Sequence, residues 1–504
     1  MTTGTVIKAD KFIPCKLHYK KICAPIDLVA LCEIFAGLKS ASILGANSAK
    51  KNADGFSYFA AEPKEAFEFL VRQNDPFKKL HRILNKYQLD LDAIHNAQYA
   101  GTKLPKGIFC GGWIGYFSYE LGRYIETLPE TTIDDLEMPL IRLCFYDRVI
   151  AYDHIDRTCW LIALQLSPDS EEPEEKLAGL EELLSESQKI HVEQPVSANI
   201  DNIDFSQIRC NMNKDYYLRA VEKIKHYIYE GDIYQVNFSQ RFECDYDAEP
   251  IDLFHWQNRY NPSPYSAYID GGSFHIVSAS PEMFITIANG YISTKPIKGT
   301  RPRINENCKA TKQANARNLD ELIYSEKEQA ELNMIIDLER NDVAKICEPG
   351  TRKVIQPRTI ESYPTVFHAV ATVGGQLRKE ITFCDILKAM FPGGSITGAP
   401  KIRSMEIIDE TEPTARGIYT GSIGFIGLNG TVCLNIAIRT IIIKDQPVPS
   451  AWLGTGLSRV EGKAYAQTGG GIVADSNPEA EWDETITKAK ALIAGINSVQ
   501  VTER

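Results

Sequence analysis

The sequence predicts a chain of mixed strands and helices, with antiparallel strands in its N-terminal part. Aromatic and β-branched residues alternate in short runs that Gly and Pro interrupt, a pattern typical of half-buried strands. Other stretches carry apolar residues at helical spacing. The N-terminal strand runs lie at 56–62, 112–120, 141–154 and 158–166.

Two helical patterns accompany these strands. The first occupies about 63–88, and the second lies in the Glu-rich stretch 167–188. The residues that follow have no clear periodicity, so we expect a boundary at about 190–205. The chain would then consist of an N-terminal layer at 1–190 and a second domain at 206–499.

The second domain begins with a helix at 213–231, which has an Asn at its start and Gly231 just past its end. These are the residues preferred at helix termini. Two more helices are expected at about 319–339 and 478–495. Strands are expected near 234–243, 274–279, 283–288, 291–295, 364–378, 419–427, 431–443 and 450–455.

Composition excludes several classes of function. Among 504 residues, 55 Lys and Arg stand against 66 Asp and Glu, a net charge of −11. This charge disfavours nucleic acid or an anionic membrane surface as the main partner. No apolar run is long enough to cross a bilayer, and the first residues lack a secretory signal. The 12 cysteines show no CxxC pair, which favours reduced thiols and a cytoplasmic protein.

Two pairs of glutamates have the spacing of neighbours on a helix face. Glu328 and Glu331 form one pair, and Glu481 and Glu484 form the other, with Lys488 one turn later. Two helices that present such pairs can build an oxygen-only site suited to Mg2+. No Glu-x-x-His accompanies them, which disfavours a di-iron site. The alternative is a solvated helix surface.

Two glycine-rich stretches, 468–476 and 391–401, each join a strand or loop to a helix. Backbone N–H groups at such junctions can bind a carboxylate or phosphate. Neither stretch matches a nucleotide-binding loop, and ordinary turns are the alternative.

Lys298 follows a strand and precedes a glycine, which would project it from a constrained position. Nearby Arg301 and Arg303 would lower its pKa and leave a neutral, nucleophilic amine. Glu282 lies at the start of a strand and could act as a general acid if partly buried. A surface lysine and a structural glutamate are the alternatives.

Together these segments resemble the chorismate-utilising enzymes, the component I family of anthranilate and aminodeoxychorismate synthases. An upstream block, FCGGWIGYFSYELGR (109–123), resembles the N-terminal layer of the same enzymes. The blocks that carry the resemblance are GDIYQVNFSQRF (231–242), SASPEMF (278–284), PIKGTRPR (296–303), AELNMIIDLERNDVAKIC (330–347), YPTVFHAVATVGGQLR (363–378), FPGGSITGAPK (391–401), YTGSIGFIG (419–427), NIAIRT (435–440) and GGGIVADSNPEAEWDET (469–485).

The resemblance implies an α+β fold of layered antiparallel β-sheets with helices packed outside, and a chorismate-binding catalytic domain at 206–499. It implies that Glu331 and Glu484 chiefly hold Mg2+, with Glu328 and Glu481 as nearby carboxylates. The metal would clamp the ring carboxylate of chorismate. Further groups that would assist at that carboxylate are Lys488 and the backbone of Gly469, Gly470 and Gly471.

The resemblance also assigns the rest of the substrate. Tyr419 and Arg439 would grip the enolpyruvyl carboxylate, and His368 would lie near the enolpyruvyl ether. Glu282 would protonate the departing carbon-4 hydroxyl. The residues expected to line the site are Thr300, Ser395 and Thr397.

Two positions separate the reactions of the family. Water-adding relatives carry a lysine base where this chain has Gln235, and an amide cannot deprotonate water. Anthranilate synthases commonly read PIAGT where this chain reads PIKGT (296–300). The lysine form resembles aminodeoxychorismate synthases, in which Lys298 would attack carbon 2 before ammonia adds at carbon 4. The product would be 4-amino-4-deoxychorismate, on the route to 4-aminobenzoate and folate.

Two alternatives stay open. One is the anthranilate synthase reaction of tryptophan biosynthesis, and the other is a catalytically inactive subunit. The chain has no glutamine-amidotransferase signature, so the resemblance implies a separate glutaminase subunit that supplies ammonia. The segment 41–51 lacks the acidic residue found in the family's tryptophan-binding segment.

Overall fold

Two β-sheets with helices packed around them form the body of the protein. The structure is a computed structural model, and it describes residues 12–49, 55–90, 103–167, 171–197, 203, 205, 208–304, 308–445 and 462–502. The fold is α+β with layered sheets, so the expected fold class is confirmed.

The strands run through almost the whole chain. Their bounds are β1 Ile13–Ile22, β2 Ser42–Leu44, β3 Phe56–Ala60, β4 Glu65–Phe69, β5 Tyr87–Leu89, β6 Gly112–Phe117, β7 Ile141–Tyr146, β8 Arg148–Asp153, β9 Thr158–Leu166, β10 Arg209–Cys210, β11 Gln235–Tyr246, β12 Tyr265–Asp270, β13 Phe274–Ser280, β14 Met283–Ala288, β15 Tyr291–Lys295, β16 Ile297–Pro302, β17 Lys353–Ser362, β18 Val366–Gln376, β19 Gly398–Ala399, β20 Ser422–Gly427, β21 Val432–Asn435, β22 Thr440–Asp445 and β23 Gly462–Ile472.

The helices are α1 Leu28–Ala36, α2 Pro76–Leu84, α3 Pro173–Ser187, α4 Lys214–Tyr229, α5 Pro250–Tyr260, α6 Lys309–Tyr324, α7 Glu326–Ala344, α8 Phe383–Met390, α9 Lys401–Thr411 and α10 Pro478–Thr502. Helix α4 has the predicted ends, because the Asn213 side chain accepts from the Tyr216 N–H and Gly231 adopts a positive φ of 83°. No helix in the described part of the chain is long and apolar enough to span a membrane.

Each sheet contains strands from both sides of the boundary expected at 190–205. The large sheet has the order β10-β11-β23-β22-β13-β12-β2-β3-β8-β9-β1-β5, with β19 beside β11. The small sheet has the order β16-β18-β15-β14-β21-β20-β6-β7-β4, with β17 beside β18. The two halves of the chain are therefore joined through both sheets, and their division into two domains stays a prediction.

The sheets pack on each other and the helices cover the outside. Tyr58 of the large sheet meets Phe425 of the small sheet with 5.2 Å between ring centroids. On the other face of the large sheet, helices bury a second apolar cluster that includes Leu31, Leu180 and Phe254. This layering removes apolar surface on both faces of the large sheet from water.

The helix expected at 63–88 is wrong over most of its length. Glu65–Phe69 is strand β4, whose residues alternate between more and less exposed, and Tyr87–Leu89 is strand β5. Only Pro76–Leu84 is helical, and it begins at a proline whose preceding residue, Asp75, caps the Lys78 N–H. The apolar residues Phe67 and Phe69 are two positions apart, so they lie on one side of this strand rather than on a helix face.

Two other predicted elements are divided in the structure. The helix at 319–339 is part of two helices, separated at Ser325, which is extended and whose side-chain hydroxyl accepts the Glu328 N–H of α7. The strand at 431–443 is β21 and β22, which belong to different sheets. The strand expected at 450–455 and residues 50–51 of the segment 41–51 lie outside the described residues.

The run 141–154 also changes sheets, between β7 and β8. The residue at the change is Asp147, which is buried and lies 2.7 Å from the buried Lys176 amine of α3. A buried ion pair is costly to break from one side, because the remaining charge stays out of water. This pair therefore fixes the point at which the chain passes from one sheet to the other.

We expect Asp147→Asn to lower the free energy of unfolding by about 3–5 kcal/mol, because it leaves the Lys176 charge without its carboxylate. Urea unfolding followed by circular dichroism measures this loss. The matched control is Glu181→Gln, which removes the exposed partner of Lys20 on the same helix and should cost less than about 1 kcal/mol. Equal effects of the two substitutions would contradict the prediction.

Candidate active site

Lys298 lies in edge strand β16 and points its amine toward groups from several elements. The Nζ donates a hydrogen bond to the Ser395 carbonyl at 3.1 Å. Burial lowers the pKa of Lys298, while Glu331 and Glu282 oppose this shift and Lys488 adds to it. A lysine held in this way loses its proton more readily than a surface lysine.

The cause expected for this shift was wrong. Arg301 instead donates to Glu328 at 2.7 Å, and Arg303 donates to the Tyr363 carbonyl at 2.7 Å. Burial together with the charge of Lys488 lowers the pKa, and neither arginine contributes. The sequence placed the arginines near Lys298 along the chain, but strand β16 directs their side chains elsewhere.

Glu282 lies between β13 and β14 and is 4% exposed. Its Oε1 accepts a hydrogen bond from the Ile297 N–H at 3.2 Å. Burial raises its pKa, and a hydrogen bond with Ser395 and the charge of Lys298 partly oppose the rise. A carboxyl group that holds its proton to higher pH can serve as a general acid.

Thr300 and His368 face each other across the β16–β18 ladder. The Thr300 hydroxyl and His368 Nδ1 are 2.8 Å apart, and His368 Nε2 is buried without a hydrogen-bond partner in the described residues. Burial, with the nearby charge of Arg439, lowers the pKa of His368 to about 3. The ring is therefore neutral at physiological pH, with one nitrogen free for a ligand.

Arg439 lies in the connection between β21 and β22, in a positive-φ conformation of 49°. Burial lowers its pKa, and its guanidinium makes no ion pair in the described part of the chain. Tyr419 is on the adjacent segment, because the Thr420 N–H donates to the Ala437 carbonyl. A half-buried arginine without a carboxylate is suited to bind an anionic ligand.

The two glutamate pairs approach the site from different helices. Glu331 of α7 and Glu484 of α10 both act on the charge of Lys298. Glu328 lies against Gly299, where a Cβ atom would come within 2.8 Å of its Oε2. Glu481 lies over Gly470 in the same way, with a Cβ-to-Oε2 distance of 3.1 Å. Both helices therefore direct carboxylates toward one region.

These four side chains have the oxygen-only chemistry that Mg2+ prefers. The buried Oε2 of Glu328 has no hydrogen-bond partner. Other carboxylates have protein partners, since Glu484 pairs with Lys488 at 2.7 Å and Glu481 accepts from Ser476 at 2.7 Å. Among the residues that the structure describes, no three His, Cys, Asp or Glu side chains form a ready metal site. The donors fit Mg2+ in kind, and Mg2+ binding stays a proposal.

Gly469, Gly470 and Gly471 lie within strand β23 rather than at a helix N-terminus. Strand β11, which pairs with these glycines, directs alternate N–H groups away from β23. The Ser239 N–H donates to the Glu412 carboxylate, and the Asn237 N–H donates to the Thr397 carbonyl. In an antiparallel pair this alternation turns the polar groups of the opposite residues, Gly469 and Gly471, away from β11. Lys488 Nζ donates a hydrogen bond to the Gly469 carbonyl at 2.9 Å.

Gln235 and Thr397 complete the wall formed by β11. The Gln235 side chain lies directly over Gly471, where a Cβ atom would clash with its Nε2 at 2.1 Å. Thr397 is fully buried and donates to the Gly393 carbonyl at 3.1 Å. Its hydroxyl therefore stabilises the turn that carries Ser395.

Two residues at the site were missed from the sequence. Glu339 accepts the Gly394 N–H at 3.2 Å, and burial raises its pKa to about 7. It lies about three helical turns after Glu328, a spacing that would have placed it on the same face. Gln467 is buried on β23 and donates to the Ser239 hydroxyl at 2.9 Å. No sequence signal distinguished Gln467 from an ordinary strand residue.

Several buried polar atoms without hydrogen-bond partners in the described residues lie around this site. In a folded protein such atoms are few, and each calls for a ligand, a water or an ion. Those around the site are Oε1 of Gln235, Oε2 of Glu328, Nε2 of His368 and Oε1 of Gln467. With Lys298 and Arg439, they form a site that is polar, cationic on one side and rich in carboxylates on the other.

Comparison with known proteins shows the family to which the chain belongs. The model of the chorismate binding enzyme family matches residues 49–494, so the chain belongs to this family. It is 38% identical over 430 residues to aminodeoxychorismate synthase component 1 of Bacillus subtilis, covering 85% of this chain and 84% of that protein. It is also 38% identical over 404 residues to anthranilate synthase component 1 of Pseudomonas aeruginosa, covering 78% and 76%.

Solved structures share the fold. Anthranilate synthase component I from Streptococcus pneumoniae superimposes with a TM-score of 0.68 at 29% identity, covering 87% of this chain and 92% of that one. The menaquinone-specific isochorismate synthase of Escherichia coli gives a TM-score of 0.66 at 14% identity, covering 96% of both chains. At that identity the second likeness concerns the fold alone.

The lowered pKa of His368 predicts a pH-dependent loss of stability. An unfolded histidine binds a proton near pH 6.5, whereas the folded one binds it near 3, so acidification favours the unfolded chain. Between pH 6 and 4.5 this residue should contribute a slope of up to about 1.4 kcal/mol per pH unit. Urea unfolding of wild type and His368→Asn across this range measures the difference. Equal slopes for the two proteins would show that His368 titrates normally.

Proposed function

We propose that this chain is an aminodeoxychorismate synthase component I, which converts chorismate and ammonia to 4-amino-4-deoxychorismate. The observation that carries the proposal is the half-buried Lys298, with its amine on the Ser395 carbonyl and Glu282 nearby. An amine of lowered pKa beside a carboxyl group of raised pKa pairs a nucleophile with a general acid.

The reaction balances with these two residues. The neutral Lys298 amine forms a bond to carbon 2, the ring double bonds shift, and the carbon-4 hydroxyl leaves as water with the proton of Glu282. Ammonia then adds at carbon 4, the bond between Lys298 and carbon 2 breaks as the double bonds return, and a proton from the added ammonia restores Glu282. Overall, chorismate and ammonia give 4-amino-4-deoxychorismate and water. Proton transfer of this kind typically contributes about 100- to 10,000-fold in rate.

The rest of the site would bind the two carboxylates of chorismate. The half-buried Arg439 and Tyr419 would hold the enolpyruvyl carboxylate, and His368 would offer Nε2 to the ether oxygen. Glu331 and Glu484, with Glu328 and Glu481, would hold Mg2+, which supplies a Lewis-acid clamp for the ring carboxylate. Lys488, which donates to the Gly469 carbonyl, and the backbone at Gly469 and Gly471 would assist at the same carboxylate.

The ammonia would come from a separate glutamine amidotransferase subunit. The similar proteins are named as component 1 enzymes, a name that implies a second component. A separate subunit is consistent with a chain that carries no glutaminase signature. We infer that the assembled enzyme acts in the cytoplasm, on the folate route.

The anthranilate synthase reaction is the second candidate. Relatives of both names match this chain with similar identity, and that reaction uses the same substrate. It would release anthranilate, pyruvate and water. In that case Lys298 would stay in the site without forming a covalent bond.

Product identity separates the two candidates. The purified chain is incubated with chorismate, Mg2+ and a high concentration of ammonium, and the mixture is analysed by liquid chromatography with mass detection. We expect a product that keeps the enolpyruvyl group and becomes 4-aminobenzoate when an aminodeoxychorismate lyase is added. Fluorescent anthranilate with free pyruvate would replace the proposal by the second candidate.

We expect Lys298→Ala to abolish a covalent adduct and to slow turnover, because it removes the amine that forms the bond to carbon 2. Intact-protein mass spectrometry of wild type, quenched in acid without ammonium, should find the mass of chorismate less one water. Lys295→Ala is the control, since Lys295 precedes the same strand but pairs with Glu361, and it should keep the adduct. No adduct in wild type, with an unchanged rate in Lys298→Ala, would remove Lys298 from the mechanism.

We expect Glu331→Gln to weaken Mg2+ binding by at least about tenfold, because it removes a charged oxygen ligand. Isothermal titration with MgCl2 in the presence of chorismate measures the affinity. Glu326→Gln, an exposed residue in the first turn of the same helix, should leave the affinity unchanged. An equal affinity for Glu331→Gln and wild type would exclude Glu331 as a ligand.

A further inference from the structure

A second charged centre lies behind the site and takes no part in the proposed chemistry. Arg416 and Glu412 form a two-point ion pair, with Nη2–Oε1 at 2.7 Å and Nε–Oε2 at 2.9 Å. Both side chains are only 1% exposed. A buried ion pair contributes little net stability compared with apolar residues of the same size. Its presence here therefore calls for an explanation other than stability.

The pair bonds to the backbone of two walls of the site. Arg416 donates to the Ile396 carbonyl at 3.1 Å and to the Asn237 carbonyl at 2.8 Å. Ile396 directly follows Ser395, whose carbonyl holds the Lys298 amine. The guanidinium therefore ties the turn that holds Lys298 to strand β11.

Glu412 bonds to strand β11 at Ser239, two residues after Asn237. Its Oε1 accepts from the Ser239 N–H at 2.9 Å and from the Ser239 hydroxyl at 2.8 Å. Ser239 is opposite Gly469 in the ladder, and its hydroxyl also accepts from Gln467. The carboxylate thus fixes the place where β11 and β23 present their glycines to the site.

The third wall is the segment that carries Tyr419. The Arg416 guanidinium lies 5.8 Å from the Tyr419 ring centroid and donates to the Thr420 hydroxyl at 3.3 Å. Thr420 has a positive φ of 58°, which is uncommon for a β-branched residue and needs support from its surroundings. Glu120, from the N-terminal half of the chain, accepts the Arg416 and Gly417 N–H groups at 2.8 and 2.9 Å.

We propose that Arg416 and Glu412 are positioning residues, which hold the Ser395 turn, strand β11 and the Tyr419 segment in one geometry around Lys298. Neither residue touches the reacting atoms, so they act through the groups they bond. The proposal rests on the proposed function for its link to catalysis. Small misplacements of a reacting group can cost about 100-fold in rate, which sets the size of the expected effect.

The test compares an apolar replacement of the pair with removal of one partner. Arg416→Met leaves Glu412 buried without its cation and should lower the midpoint of thermal unfolding. Adding Glu412→Leu removes the stranded charge, so the double variant should regain most of that stability. If the pair positions the site, the double variant should still consume chorismate with kcat/KM lowered about 100-fold. A kcat/KM restored together with stability would overturn the proposal.

The matched control is another buried arginine, Arg241, which lies on strand β11. Arg241 pairs with Asp135 and is 6% exposed, and its side-chain partners, Asp135 and Tyr465, do not belong to the site. Arg241→Met should lower the midpoint of unfolding and change kcat/KM less than about threefold. A loss of kcat/KM in this control equal to that of the double variant would attribute the effect to general destabilisation and overturn the proposal.

A readout without substrate separates this proposal from the proposed function. An amine-reactive ester labels lysines in their neutral form, and peptide mass spectrometry gives the pH profile of each one. In wild type, Lys298 should label at lower pH than the amine of a free lysine peptide measured in parallel. In Arg416→Met/Glu412→Leu its profile should move toward that of the free peptide, and Arg416→Lys takes the place of the double variant if that variant does not fold. An unmoved profile would overturn the positioning role, whatever reaction wild type catalyses. If the profile moves in the variant but wild type consumes no chorismate, the proposed function alone is refuted.

Discussion

The site depends on keeping an amine out of water among carboxylates. Lys298 interacts with Glu282, Glu331 and Glu484, which come from a strand connection and two helices far apart in the chain. Burial favours the neutral amine, while each carboxylate favours the ammonium ion, so the balance is set by position. The surrounding structure must therefore hold these groups at fixed distances, and the two sheets supply that rigidity.

The sheets achieve this because each combines strands from both halves of the chain. The long ladder between β11 and β23 places Gln235 beside Gly471, and the ladder between β16 and β18 places Thr300 beside His368. Gly471 leaves space for the Gln235 side chain, and the Thr300 hydroxyl bonds to the His368 ring. The unpartnered atoms of Gln235 and His368 are held open by this packing, which leaves them available to a ligand.

The same scaffold explains why related reactions use one fold. The chain matches relatives of two names equally well and shares its fold with an isochorismate synthase. Under the proposed function the substrate carries two carboxylates, which the anion-binding part of the site would hold. Lys298 and Gln235, the positions at which the family resemblance separates the reactions, lie near the starts of strands β16 and β11. A side chain near a strand end can change with little effect on the core.

Local sequence determined the elements with clear ends and indicated the residues that we propose for the chemistry. The caps of helix α4 were readable because Asn213 and Gly231 act within one turn. The glutamate pairs were readable because helical spacing alone places them on one face. Tertiary structure decided the remainder, since pairing partners and burial depend on residues distant in sequence. Only the fold could show that 63–88 contains a strand, that burial rather than Arg301 lowers the pKa of Lys298, and that Arg416 reaches three walls of the site.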